Sequence, residues 1–317
     1  MTTFRPGQSV PGNTPEEEPG AESGLMVDQV ALDNAAFGRH RRLLFTVAYD
    51  LLGSVSDAED IVQDAWLRWS SAERSDVRDA RAYLIRVVTT QSLNRLRTNR
   101  ARRETYVGPW LPEPLVEPDL AEEVTDRAAR EHDVSMAMLV ILETLSPSER
   151  AAFVLREVFG MSHEEIAVAL DRTSASVRQL VHRARAHVQA RRPRFEVDQS
   201  RQREITERFL TACSTGDLAT LLELLAPDVT LLGDGGGVAK AARRPIEGAD
   251  KVARFLVGIA QEGTVLDVRF ALINGTVGIV GYADNDPRLV GLLDTDGSRV
   301  DNVYLVVNPH KLAHLRR

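Results

Sequence analysis

Residues 145–194, LSPSERAAFVLREVFGMSHEEIAVALDRTSASVRQLVHRARAHVQARRPR, constrain the fold more than any other part of the chain. Ser146, Pro147 and Glu149 spell a helix start: a hydroxyl to accept a backbone N–H, a proline suited to the first position, and a carboxylate to close the capping box. Gly160 ends that helix. Ser162 and Glu165 repeat the box and open a short helix, HEEIAVAL, with Ile166, Ala167 and Leu170 inward. The turn DRT leads into a helix over 174–188, buried through Val177, Leu180 and Val181. Short helix, tight turn and second helix make a helix-turn-helix. Its second helix turns Ser176, Arg178, Gln179, His182, Arg183 and Arg185 outward. Between positions 172 and 194 there are seven arginines and no acid, the footprint of a helix lying on phosphates and base edges.

An earlier block, residues 27–104, is also helical. Leu44, Val47, Ala48 and Leu51 recur at helical spacing and Gly53 stops the helix. Ser56 and Glu59 form a further S-x-x-E box. The helix they open buries Ile61, Val62, Ala65, Trp66 and Trp69 and turns Asp57, Asp60, Gln63 and Asp64 to the other side. A third helix, DARAYLIRVVTTQSLNRLRTNRARRE, buries Tyr83, Leu84, Val87, Val88 and Leu93 or Leu96, then ends in Arg95, Arg97, Arg100, Arg102 and Arg103. Between the two helical blocks lies an acidic, proline-rich linker, residues 105–133. Pro109, Pro112, Pro114 and Pro118 fix φ and disfavour helix, so the linker is extended. Trp110 and Leu111 are its apolar exceptions and call for a docking site.

The last third changes character. Two helices broken at Gly216, with Asp217 as N-cap, precede a strand over 229–232, and GADKVARFLVGIA is helical again. Four β-rich runs follow, with Asn274-Gly275 and Asp296-Gly297 as hairpin turns. Helices followed by an antiparallel meander indicate an α+β domain with a curved sheet, residues 199–312. Residues 1–26, rich in Pro, Gly and Glu, read as a disordered leader without the apolar stretch of a signal peptide. No run of about 18 apolar residues is present, so no membrane span is expected. With 317 residues and one cysteine, the chain can build several cores, and neither a disulfide nor a cysteine metal site is expected. A buried inert Cys213 fits a reducing cytoplasm.

Residues 37–103 and 134–192 resemble the two conserved domains of extracytoplasmic-function sigma factors of the sigma-70 family, through DAEDIVQDAWLRW and the helix-turn-helix. With YVGPWLPEPL, LLGDGGG and NPHKL, the chain resembles the members carrying a fused C-terminal SnoaL-like domain of the NTF2 fold. The resemblance implies a multidomain fold: two all-α sigma domains, over 27–104 and 134–194, plus an α+β SnoaL/NTF2-like cone. It implies that Asp60, Gln63 and Asp64 meet the β′ clamp of core RNA polymerase, which the chain would also engage through the β subunit. Arg86, Thr89, Thr90, Asn94 and Arg97 would hold the minus-ten element of promoter DNA. Ser176, Arg178, Gln179, His182 and Arg183 would face the minus-thirty-five groove, with Arg172 and Arg185 on phosphates. Linker acids Glu113, Glu117, Asp119, Glu122 and Glu123 would occupy a basic channel and repel DNA. Trp110, Leu111 and Pro112 would dock on the C-terminal domain at Asp234, Gly235, Gly236 and Gly237, and His310 could make that docking pH-sensitive.

No catalytic residue, metal or cofactor is expected, since the polymerase performs the chemistry. The alternative is a DNA-binding regulator whose SnoaL-like domain senses a small molecule or acts as an enzyme, with Asp228, Asp234, Tyr282 and Asp284 available.

Overall fold

The structure, a computed structural model, describes residues 21–71, 77, 79–117, 134–190, 197–262 and 265–316, without the side chains of 21–35, 100–102 and 262. Pro118, Asp119, Glu122 and Glu123 lie outside the described residues, as do positions 1–20. Helix α1 (Ala21–Leu52) begins inside the expected leader, two residues after its last proline, Pro19. Gly53, at φ +65°, closes it in the left-handed region that glycine enters without strain. Helix α2 (Val55–Ser71) buries Val55, Ala58, Ile61, Val62, Ala65 and Trp69.

The cap of α2 differs from the expected Ser56–Glu59 box. The Ser54 hydroxyl accepts the Asp57 N–H at 3.2 Å, while the N–H groups of Val55 and Ser56 donate to Glu113 of the linker at 2.7 and 3.3 Å. A carboxylate from far along the chain thus outcompetes the local glutamate at the positive end of the helix. Helix α3 (Ala80–Glu104) starts at Asp79, whose side chain accepts the Ala82 N–H, and buries both Leu93 and Leu96.

Four helices form the second block: α4 (Met136–Leu142), α5 (Pro147–Phe153), α6 (His163–Leu170) and α7 (Ser174–Gln189). Both expected capping boxes are made, at Ser146–Glu149 and Ser162–Glu165. Helix α5 runs into a π turn over Val154–Val158 before Gly160, at φ +64°, ends it. The two helical blocks share one apolar core, which runs from Phe37 through α3 to Val188. Inside it the fully buried Arg150 of α5 donates to the Asp50 carbonyl of α1 and pairs with Glu143, which caps the end of α4.

The third block places α8 (Gln199–Thr215), α9 (Leu218–Leu224) and α10 (Ala249–Glu262) on a six-stranded sheet. Its strands are β1 (Leu225–Asp234), β2 (Ile246–Glu247), β3 (Asp267–Ile273), β4 (Thr276–Ala283), β5 (Asp286–Thr295) and β6 (Val300–Val306), in the order β2-β1-β6-β5-β4-β3. The expected meander runs antiparallel from β3 to β6, and β1 joins β6 in parallel. Asn274-Gly275 turns β3 into β4 with both residues at positive φ, and Asp284-Asn285 does the same for β4 and β5.

Side chains alternate across the sheet. Leu293 and Val303 face the helices with Ile205, Phe209 and the buried Cys213, whose thiol is pushed up to about 12 by burial. Leu292 and Tyr304 face the opposite side, where Leu111 of the linker, Met136 of α4 and Leu312 cover them. The linker also forms an antiparallel bridge, Val116 to Ile273, at the β3 end of the sheet.

Candidate nucleic-acid interface and linker docking site

The helix-turn-helix sets α7 across α5 and α6 by burying Val177, Leu180, Val181, Ala184 and Val188. The Thr173 hydroxyl caps its start by accepting the Ser176 N–H at 3.2 Å. With the stripe buried, Arg178, Gln179, His182 and Arg183 stand exposed together, and Ser176 is half-buried beside them. Two cations of this face hold acids. Arg183 pairs with Glu149 at 3.2 Å and Arg185 with Glu157 at 2.7 Å. Arg172 is exposed and reaches the Ser148 hydroxyl at 3.4 Å.

On α3, Arg86, Thr90, Asn94 and Arg97 are exposed, and Arg97 donates to the Asn94 side-chain oxygen at 3.0 Å. Thr89 differs from the expectation. It is fully buried and its hydroxyl finds no partner, because it falls on the packed side of α3. It cannot touch DNA in this arrangement. Arg95 turns to α2, pairing with Asp57 at 2.5 Å, and Asn99 donates to the same carboxylate at 2.7 Å. On α2, Asp60, Gln63 and Asp64 form an exposed polar face, with Leu67 beside them.

The linker docks through one buried carboxylate. Asp234, at the end of β1 and with no exposure to solvent, accepts from the Tyr106 hydroxyl at 2.5 Å, the Leu111 N–H at 2.8 Å, the Gly236 N–H at 3.1 Å and the Lys311 ammonium at 2.7 Å. Lys311 also donates to the Leu111 carbonyl. Asn308 donates to the Tyr106 hydroxyl at 2.8 Å. Burial pushes the Lys311 pKa down to about 8 against the attraction of Asp234, and burial with the Asp234 contact raises that of Tyr106. The indole of Trp110 meets two cations, Arg103 of α3 at 3.8 Å and Lys311 at 3.9 Å from the ring centre. Arg103 in turn pairs with Glu143, which also holds Arg150. Burial lowers Arg103 to about 10 and Arg150 to about 9, so both remain charged at neutral pH.

Several details depart from the expected contact. Pro112 packs against Gly53 at the α1–α2 corner, where a Cβ on that glycine would meet Trp110 at 3.0 Å and Pro112 at 3.4 Å. Gly236 and Gly237 face Tyr106 and Val107 rather than WLPEP, and Gly235 packs within its own loop against Ala239 and Ala241. Glu113 occupies the α2 N-terminus, where its carboxylate satisfies backbone donors. His310 is exposed; its neighbour Lys311 makes the buried contact. The NPHKL motif carried the signal, since a lysine set beside apolar residues at a strand's end has to find a buried anion. His314, whose ring nitrogen lies 2.8 Å from the Pro114 carbonyl oxygen, and Tyr106 had no such signal.

The chain matches the family model for sigma-70 region 2 over residues 36–102 and that for sigma-70 region 4 over residues 135–188. It is 39% identical over 292 residues to the ECF RNA polymerase sigma factor SigJ of Mycobacterium tuberculosis, covering 88% of this chain and 93% of that protein. The chain belongs to the extracytoplasmic-function sigma factors. It is 31% identical over 290 residues to a probable ECF RNA polymerase sigma factor SigI of the same species, covering 89% of this chain and 96% of that protein. The crystal structure of the Mycobacterium tuberculosis SigJ superposes with a TM-score of 0.71 at 36% identity, covering 88% of this chain and 98% of that one.

The match extends across the third block as well as the two helical ones, so the α+β domain is part of the sigma factor's shared architecture. A sigma factor acts by directing initiation at promoters and does no chemistry itself. Of the four polar residues noted in the C-terminal domain, Asp234 accepts from four donors, Asp228 and Asp284 are exposed, and Tyr282 lies under Arg269. Among the described residues, no helix is long and apolar enough to cross a membrane.

Proposed function

We propose that this sigma factor binds core RNA polymerase through the exposed α2 face at Asp60, Gln63 and Asp64. It holds the minus-ten element with Arg86, Thr90, Asn94 and Arg97 of α3. It reads the minus-thirty-five groove with Arg178, Gln179, His182 and Arg183 of α7. Guanidinium groups there can grip guanine in bidentate fashion, and the exposed pairs of Arg183 with Glu149 and Arg185 with Glu157 would give way to DNA, Arg183 to a base edge and Arg185 to a phosphate. The C-terminal domain tunes activity by docking on the linker. The observation that carries this reading is the set of four donors that the buried Asp234 gathers from the linker, its own loop and Lys311. A linker so anchored cannot change its path without giving up the buried hydrogen bonds of Tyr106 and Leu111 to Asp234, so docking and the spacing of α3 and α7 are coupled.

The test is transcription by core polymerase reconstituted with the full chain on a randomised promoter library, with transcript starts sequenced. Arg178→Ala should relax the minus-thirty-five preference alone and Asn94→Ala the minus-ten preference alone. Unchanged preferences in both variants would remove the residue assignments.

A further inference from the structure

The linker does more than join two domains, because it supplies the cap of the polymerase-facing helix. The Glu113 carboxylate accepts from the Val55 N–H at 2.7 Å, the Ser56 N–H at 3.3 Å and the Ser54 hydroxyl at 2.9 Å. Its backbone is held as firmly. The Glu113 N–H donates to the Gly53 carbonyl at 2.8 Å, and its carbonyl accepts the Tyr49 hydroxyl at 2.6 Å.

Tyr49 is buried in α1, and its hydroxyl oxygen accepts from the Asn274 side chain at 2.7 Å. Asn274 is the left-handed first residue of the β3–β4 turn and is itself buried, at 3% exposure. It is locked to the linker on both sides. Its side-chain oxygen accepts the Leu115 N–H at 3.1 Å, and its own N–H donates to the Leu115 carbonyl at 2.9 Å. A continuous path therefore runs from a hairpin turn of the C-terminal domain, through Tyr49 and Glu113, to the first N–H groups of α2.

We propose that the C-terminal domain sets the position and the field of α2 through Asn274, Tyr49 and Glu113, which makes these three positioning residues for polymerase binding. The proposal rests on the reading of α2 as the polymerase-facing helix. A carboxylate at a helix start satisfies orphan donors and complements the macrodipole. Here that carboxylate belongs to a segment held by the C-terminal domain, so the order of the first α2 turn follows docking. The acids at Asp60 and Asp64 follow directly in the next turns, and a frayed start would shift them against a basic partner. Asn at position 274 has two duties: it tolerates positive φ, and its amide donates to Tyr49 while accepting from Leu115. Only the second is lost on changing it to glycine.

The test uses the full chain and its variants Asn274→Gly, Asn274→Asp, Glu113→Gln and Asp64→Lys. Two quantities are measured: affinity for core RNA polymerase, and amide hydrogen exchange at Val55, Ser56 and Leu111. Asn274→Asp keeps the turn and the Leu115 contact but makes position 274 an acceptor, so Tyr49 turns its proton away from Glu113. It should behave like Asn274→Gly. The expected result is exchange about five- to tenfold faster at Val55 and Ser56 in the first three variants, the size of losing a helix cap. Leu111, bonded to Asp234, should stay protected, which separates loss of the path from undocking. Core affinity should fall about three- to tenfold in the same variants. Unchanged exchange at Val55 and Ser56 in Asn274→Gly would overturn the proposal. So would unchanged core affinity in those variants while Asp64→Lys weakens it. If Asp64→Lys leaves core affinity intact, α2 is not the polymerase surface and the proposal falls with that reading.

Discussion

Helices α3 and α7 are alike in sequence, each rich in arginine, yet the structure uses their cations in opposite ways. On α7 the outward arginines stand at the edge of the bundle, and Arg183 keeps 63% of its side chain exposed even while paired with Glu149. Exposed pairs of this kind contribute at most about 1 kcal/mol, so DNA can displace them. On α3 two of the arginines are structural. Arg95 ties α3 to Asp57 of α2, and Arg103 ties it to Glu143 at the end of α4 and to the indole of Trp110. The difference is not in the charge run itself. It lies in which other elements bring carboxylates within reach, and at what depth.

The largest expected break in this comparison comes from Glu143→Ala. It takes the paired acid from Arg150, a guanidinium that stays protonated, is 2% exposed and is left with the Asp50 carbonyl, and from Arg103 beside it. The expected loss is about 3 to 5 kcal/mol in denaturant unfolding; a loss below about 1 kcal/mol would show that the buried arginines do not depend on it. Asp234→Ala strands Lys311 in the same way, but a lysine can shed its proton. The expected loss is smaller, about 2 to 3 kcal/mol, and a loss larger than that of Glu143→Ala would contradict the distinction.

Arg178→Ala should sharpen the contrast from the other side. Its unfolding free energy should stay within about 0.5 kcal/mol of the parent, while binding to the preferred minus-thirty-five sequence weakens by about 1 to 3 kcal/mol in a titration at fixed salt. The smallest effect is one of pH. The Lys311 pKa lies near 8 when docked, below its ordinary value of 10.5. The unfolded chain therefore binds more protons in the window between these values, and stability rises with pH across it. Melting curves from pH 8 to 9, below the range where Arg150 and Arg103 begin to contribute in the same direction, should show that rise in the parent and a smaller one in Lys311→Met.

Much of the fold is legible in the sequence because its signals are local. The Ser146 and Ser162 boxes, Gly160, Gly216 and the Asn274-Gly275 turn each depend on a few neighbouring residues, and the structure places all of them as read. What escaped depends on residues far apart in the chain. Ser54 rather than Ser56 caps α2 because Glu113 reaches it from the linker. Thr89 is buried because the shared core covers a side of α3 that periodicity alone leaves open. Lys311 and Tyr106 converge on Asp234, with Asn308 on the Tyr106 hydroxyl, only once the sheet is assembled. At the linker, the sequence shows that Trp110 and Leu111 need a partner but not that Trp110 meets two cations.

The most direct measurement is promoter-dependent transcription by core RNA polymerase with the full chain and with Leu111→Asp, which places a charge where Leu111 is completely buried beneath the C-terminal domain. The account predicts a promoter-specific transcript with the parent chain and an altered yield from the same promoter with the variant at saturating polymerase. Equal yields would contradict control through the linker, and no transcript from any promoter of a broad library, with polymerase shown to be competent, would contradict the assignment of a working sigma factor.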